Sequence, residues 1–298
     1  MFRLSAVFHH PSLIIHHFPL STFGLSPLPA SGAPMVQKKF LVPNLFTGLN
    51  FLIGIYAILL MAEALIPERG GRSVLGFGKT PLELAAWMIT WCVLLDKLDG
   101  FMAKLLNASS EFGAQFDSLA DLVAFGVAPA LLVYYYLHAN APEWAASHRP
   151  LMIASLSVYV LCAALRLARY NAVDSEGLKD WFHGLPSTFA GGLVALSVIL
   201  HSKYELAGAF PMSLTMLPLL LITAGLLMVS PLYLPKLMRR SNGLVNGFQI
   251  VNVFIGYLCG FGMVFPEYLF GILAVYGVFG FGKGLLARSQ IEAKLAEQ

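Results

Sequence analysis

Asp96-Lys97-Leu98-Asp99-Gly100-Phe101-Met102-Ala103-Lys104, continued by Gly113, Asp117 and Asp121, sets four aspartates into strongly apolar sequence. An ionised carboxylate in hydrocarbon is costly unless something compensates it, so a group of four marks a function before it marks packing. Asp96 and Asp99 stand three residues apart and Asp117 and Asp121 four apart, so on helices each pair shares a face. Between the pairs, Asn107-Ala108-Ser109-Ser110 reads as a turn, with Ser109 or Ser110 as N-cap of the next helix. Two antiparallel helices joined there bring both pairs to one level. Gly100, Ala103 and Gly113 are small where such helices approach closely or admit a ligand. Oxygen-only ligands suit hard cations such as Mg2+ or Mn2+, and four carboxylates can hold two such ions about 3.5–4 Å apart. A structural ion-pair cluster with Lys97 and Lys104, or a proton relay, is the other reading of the same residues.

Around this stretch the composition is that of a membrane protein. Hydrophobic residues make up 57% of 298 and charged residues 12%, with a mean hydropathy of +0.72. A soluble domain carries about 25% charged residues. The fold expected is all-α and polytopic, a bundle of about eight transmembrane helices near 43–63, 81–106, 112–138, 150–171, 187–202, 213–230, 247–264 and 266–285. The net charge of +3 implies no nucleic-acid partner. Cys92, Cys162 and Cys259 fall in apolar spans without metal spacing and read as buried packing residues.

Basic residues orient the bundle. With the N-terminus in the cytoplasm, Lys38, Lys39, Lys97, Lys104, Arg166, Arg169, Lys179, Lys236, Arg239, Arg240, Lys283, Arg288 and Lys294 lie inside. Arg69, Arg72, Lys79, Arg149 and Lys203 lie outside. Both termini are then cytoplasmic, in a multi-pass protein of the cell membrane whose aspartates sit at the cytoplasmic side. Residues 1–34, with Pro11 and the pairs His9-His10 and His16-His17, lack a spanning segment and read as a loosely attached or disordered extension, dispensable for activity. Met35 is an alternative start.

Further polar residues converge on the acidic end. Pro43 suits the first turn of the first span, and Asn44 and Thr47, three apart, either face the aspartates or, for Asn44, simply cap the helix. Arg166 and Arg169 lie one turn apart at the end of the fourth span, followed by Asn171. They suit bidentate capture of a carboxylate or phosphate, or else snorkel to lipid headgroups. His183 is an acid–base candidate or a surface histidine, and Gly184-Leu185-Pro186 looks like a shaped re-entry into the membrane.

The pattern Asp96-x2-Asp99-Gly100-x2-Ala103-x9-Gly113-x3-Asp117-x3-Asp121 resembles the signature of the CDP-alcohol phosphatidyltransferase family at every spacing. The family's usual arginine after the alanine is Lys104 here, which keeps the charge and loses the planar fork. Asp117-Ser118-Leu119-Ala120-Asp121-Leu122-Val123-Ala124-Phe125-Gly126 is similar to the serine-accepting branch, as are Arg166-Leu167-Ala168-Arg169-Tyr170-Asn171 and Gly184-Leu185-Pro186-Ser187. The glycerophosphate-accepting branch instead carries proline and lysine where Ser118 and Leu122 stand.

The resemblance implies a six-helix catalytic core at 35–240 and an additional C-terminal transmembrane hairpin with a short tail at 241–298. It implies transfer of the phosphatidyl group of CDP-diacylglycerol to the hydroxyl of L-serine, giving phosphatidylserine and CMP. Asp96, Asp99, Asp117 and Asp121 become ligands of Mg2+ or Mn2+, with Asp121 also the general base. Asn44, Thr47, Gly100, Ala103, Lys104 and Gly113 line the CDP and diphosphate site. Arg166, Arg169 and Asn171 go to the acceptor side. A homodimer meeting through helices away from the site is also implied. Another acceptor alcohol, such as glycerol 3-phosphate, is the rival within the family. A cation- or proton-coupled transporter is the rival outside it, but the two halves show no convincing inverted repeat.

Overall fold

The computed structural model describes residues 41–66, 79–105, 111–172, 180–236 and 243–296. Helix α1 (Leu41–Glu63) leads to α2 (Pro81–Leu105). The start of α2 is fixed by a reciprocal cap in which Glu83 N–H donates to Thr80 Oγ1 and Thr80 N–H to Glu83 Oε2, both at 3.3 Å. Pro81 takes the first helical position, where its missing N–H removes nothing. The turn expected at Asn107–Ser110 lies outside the described residues.

The third predicted span is one continuous run of three pieces: α3 (Glu111–Asp121), a π-helical stretch (Leu122–Val127) and α4 (Ala128–Asn140). Pro129 explains the break in register. It has no N–H to offer the Phe125 carbonyl four residues back, and its ring crowds that position. The Tyr159 hydroxyl fills the gap, donating to Phe125 O at 2.9 Å from a fully buried site. The wider turn therefore begins directly after Asp121.

A short α5 (Pro142–Ser147) turns the chain into α6 (Arg149–Ala172), which carries Tyr159 and both arginines. Then come α7 (Ser187–Lys203), the single turn α8 (Leu206–Ala209), α9 (Ser213–Val229), α10 (Gly243–Phe261) and α11 (Pro266–Ala296). Among the described residues, four helices are long and apolar enough to cross a membrane: Asn44–Glu63, Glu111–Asn140, Arg149–Ala172 and Pro266–Ser289. Ser213–Val229 is apolar but shorter. The protein is thus helical and polytopic.

One feature departs from an all-helical reading. Strands β1 (Trp181–His183) and β2 (Tyr233–Pro235) pair antiparallel, with Trp181 opposite Pro235 and His183 opposite Tyr233. Hydrogen bonds from Gly184 N to Leu232 O (2.7 Å) and Lys236 N to Asp180 O (2.8 Å) extend the ladder. Gly184 makes the turn into α7 at φ +66°, and a Cβ there would lie 2.5 Å from the Met228 carbonyl oxygen. The shaped re-entry is therefore a ribbon joining the start of α7 to the end of α9.

The core is dominated by α2, α4, α7 and α9, with Trp87, Phe125 and Tyr159 among its largest buried side chains. Apolar side chains also cover the outside, including Leu45, Leu52 and Leu59 on α1 and Phe248, Ile250, Val278 and Phe279 on α10 and α11. Such broad apolar exposure suits lipid contact. At the end away from the aspartates a buried histidine ties three helices. Ser213 Oγ donates to Leu206 O, so His201 Nε2–H donates to Ser213 Oγ at 2.7 Å and Nδ1 accepts from Tyr136 Oη at 3.0 Å. All three cysteines are free and buried.

Candidate active site

Helix direction brings the polar residues together. The aspartates of α2 lie near its C-terminal end, and those of α3 near the start of the next long helical run. Arg166 and Arg169 close α6, and Ser187 opens α7. All fall at one end of the bundle.

Asp96, Asp117 and Asp121 meet there, with one carboxylate oxygen from each lying within 4.8 Å of the other two. Asp121 is buried and Asp96 and Asp117 are half-buried. Lys97 Nζ pairs with Asp96 Oδ2 at 2.8 Å from an exposed position, its side chain 64% accessible. That pair satisfies the ion-pair reading in part, but it touches only one oxygen of one carboxylate. Asp121 Oδ1 is buried and makes no hydrogen bond among the described residues. An orphaned, desolvated carboxylate oxygen is costly, and a cation is the partner that best relieves it. Three carboxylates converging with such an oxygen fit a hard divalent ion.

The side chains of Asp99, Ala103 and Lys104 lie outside the described part of the structure, although the α2 backbone carries through all three positions. Gly100 is exposed, and a Cβ added there would meet nothing within 4 Å. Among the described residues, helix packing does not require this glycine. Gly113 is half-buried.

Helix α1 forms another wall. Its residues 48 and 54 face Phe116 (3.9 Å from a Cβ built on Gly48) and the Ala124 backbone (3.2 Å from one built on Gly54). Both contacts advance in the same direction, so α1 and α3 run parallel, with Thr47 and Asn50 near the level of Asp117 and Asp121. Thr47 is buried and Asn44 half-buried on this helix.

On the opposite side α6 contributes its arginines. Arg166 lies close enough to Asp121 and Asp96 to interact electrostatically with both. One of its guanidinium nitrogens donates to Ser187 Oγ at 2.9 Å, while Nε is buried without a hydrogen bond among the described residues. Arg169 donates to the carbonyls of His183 (3.2 Å) and Val229 (3.4 Å), and its Nε likewise has no hydrogen bond among the described residues. Both residues are thus held inward, not stretched out to lipid headgroups. They line a small open cleft with Tyr170, Trp181, Phe182, His183 and Lys236. Lys236 Nζ lies over the Phe182 ring, 5.1 Å from its centroid. Asn171 Nδ2 donates to Ser118 Oγ at 2.9 Å, tying α6 to α3 beside Asp117. His183 is half-buried on β1, where its carbonyl serves Arg169 and its ring packs on Tyr233.

The ribbon residues Trp181, Phe182 and Lys236 were missed as site residues in the sequence, since strands of three residues give no alternation to read. Asn50 was also missed. Its signal was present: Asn44, Thr47 and Asn50 recur every third residue along one face of an apolar helix.

A carboxylate cluster beside a cationic cleft, at one end of an apolar helical bundle, is an arrangement suited to a membrane enzyme. The model of the CDP-alcohol phosphatidyltransferase family matches residues 40–229, and the chain belongs to that family of transferases. The CDP-diacylglycerol–serine O-phosphatidyltransferase of Helicobacter pylori is 30% identical over 243 residues, covering 82% of this chain and 92% of the relative. The protein of the same name from Methanocaldococcus jannaschii is 27% identical over 245 residues, covering 82% and 94%. Archaetidylserine synthase of Methanothermobacter thermautotrophicus is 29% identical over 197 residues, covering 65% and 70%.

Proposed function

We propose that this protein transfers the phosphatidyl group of CDP-diacylglycerol to L-serine, releasing CMP. The observation that carries the reading is the meeting of Asp96, Asp117 and Asp121 within 4.8 Å, with Arg166 in electrostatic reach. Relatives named for serine transfer align along most of both chains, which supports serine as the acceptor.

Asp96, Asp99, Asp117 and Asp121 would hold Mg2+ or Mn2+, as two ions. Cations so placed supply charge neutralisation for the diphosphate and its CMP leaving group. Thr47, Asn44, Gly100, Ala103, Lys104 and Gly113 border the nucleotide and diphosphate. Asp121 takes the proton of the serine hydroxyl through the carboxylate oxygen that the ion would leave free. The serine oxygen forms its bond to the diacylglycerol-bearing phosphorus, and the bond from that phosphorus to the CMP oxygen breaks. Arg166 and Arg169 face the serine carboxylate from the cleft, with Asn171 holding α6 against α3. A water-facing basic cleft and a lipid-facing bundle suit one soluble and one membrane substrate.

In this reading the bundle has eight spans with cytoplasmic termini, the site faces the cytoplasm, and residues 35–240 form the catalytic core with 241–298 appended. Two copies pair through helices away from the site. The test uses purified protein, labelled CDP-diacylglycerol, Mg2+ or Mn2+, and serine, glycerol 3-phosphate, inositol or choline in turn. CMP release with serine alone is the expected result. Release only with glycerol 3-phosphate would reassign the cleft to a phosphate, and no release with any alcohol would overturn the assignment.

A further inference from the structure

Asn50 is the most buried polar side chain of α1, 1% exposed, and neither its Oδ1 nor its Nδ2 makes a hydrogen bond among the described residues. A buried amide unpaired at both ends is among the costliest groups a helix in an apolar bundle can carry. Its location is well defined. The Asn50 carbonyl accepts from Cys92 Sγ at 3.5 Å, and Cys92 stands one turn from Asp96 on α2. Cys92 also packs with Ala124, one turn beyond Asp121, and with Ile53, one turn beyond Asn50. The buried face of α1 runs through Thr47, Asn50 and Gly54, and Gly54 abuts the Ala124 backbone. Asn50 therefore sits between α2 and α3 near the level of Asp117 and Asp121, where Asp121 Oδ1 is also unbonded among the described residues.

We propose that Asn50 is a further member of the carboxylate site. Its carboxamide hydrogen-bonds a water in the hydration shell of the divalent ion held by the aspartates and so fixes the inner side of that shell. This rests on the metal reading above. Mg2+ and ions like it keep several of their waters when bound, and a neutral amide can both donate and accept towards them. A further carboxylate at this depth would add charge, which an amide does not. The residue is a positioning one, since it acts through the ion's shell and does not touch the reacting phosphorus.

Stability and metal affinity separate this role from mere packing. A buried amide with no function is best replaced by an apolar side chain of similar size, with stability unchanged or gained. The experiment measures Mn2+ binding to full-length protein by the electron paramagnetic resonance of free Mn2+, without substrates, for wild type, Asn50→Leu, Asn50→Ala and Asp121→Asn, alongside metal-free thermal unfolding. Groups that support a metal's ligands typically change affinity about 10- to 100-fold. Asn50→Leu should unfold no lower than wild type yet bind Mn2+ at least about tenfold more weakly. Asn50→Ala should show the same loss of affinity, which keeps the test open if the leucine variant folds poorly. Wild-type Mn2+ affinity in either variant would overturn the inference while leaving the metal site standing, provided Asp121→Asn binds more weakly. Absence of Mn2+ binding by the wild type would overturn both.

Discussion

Asp121 combines burial, an unbonded oxygen and two neighbouring carboxylates, and that combination sets what its substitution should do. Asp121→Asn keeps the shape and removes the proton acceptor. Turnover should fall by about 10²–10⁴, the usual worth of a positioned base. Metal-dependent CDP binding, followed by isothermal titration, should persist, because Asp96 and Asp117 remain. A near wild-type rate would take the base role away from Asp121. Arg169 is anchored by carbonyls of His183 and Val229, so it presents a fixed donor edge. Arg169→Ala should raise the KM for serine roughly 10- to 100-fold, as expected for a charged hydrogen bond worth about 1.5–3 kcal/mol. The KM for CDP-diacylglycerol should change little; an equal rise in both would move Arg169 to the nucleotide. At this scale the sequence was legible wherever charge met apolar surroundings, since intramembrane aspartates at helical spacing have few other uses. At Asn50 the recurrence with Asn44 and Thr47 is in the sequence, but the burial of the amide and its missing partners among the described residues come only from the structure.

The helical elements could be read from apolar length, yet two departures could not. The span expected at 112–138 contains the π-helical turn, and Pro129 alone did not reveal it, since the remedy comes from Tyr159 on another helix. The ribbon of β1 and β2 leaves no signal in the sequence, because its two three-residue halves lie some fifty residues apart with α7, α8 and α9 between them. That ribbon is backed by α11. The Tyr276 hydroxyl donates to the Pro235 carbonyl, and a Cβ placed on Gly284 would run into the backbone oxygen of Tyr233. Helix α11 lies beyond the residues matched by the family, yet it braces the wall of the cleft that holds Lys236 and His183. Gly284→Ala should displace β2 and raise the serine KM about tenfold, because shifts of about 1 Å at a binding group can cost up to about a hundredfold. Tyr276→Phe removes only the hydrogen bond and should act in the same direction, less strongly. Steady-state kinetics that show serine KM unchanged in both would mean the ribbon is held without α11.

For the whole molecule, the uneven distribution of lysine and arginine is what supports the proposed cytoplasmic face, and the proposed chemistry depends on that orientation, since a nucleotide-bearing substrate has to be met where nucleotides are. Residues 1–34 lie outside the described structure and add no motif to this scheme, so a chain starting at Met35 should retain full CMP release; loss of activity would give the extension a role. Sidedness itself can be tested directly because Cys92, Cys162 and Cys259 are all buried, leaving a low background for thiol labelling. Lys203 sits on the end of the bundle away from the aspartates, paired with Glu267, its side chain 47% accessible. Arg288, 50% accessible, lies towards the other end of α11. Both are surface ion pairs of the kind worth little to stability, so replacing either should leave the fold intact. A membrane-impermeant maleimide added to sealed cells or right-side-out vesicles should therefore label Lys203→Cys and spare Arg288→Cys, and inverted vesicles should reverse the pattern. Labelling of Arg288→Cys from outside would turn the bundle over, placing the aspartates away from cytoplasmic nucleotide and removing the supply on which transfer from CDP-diacylglycerol relies.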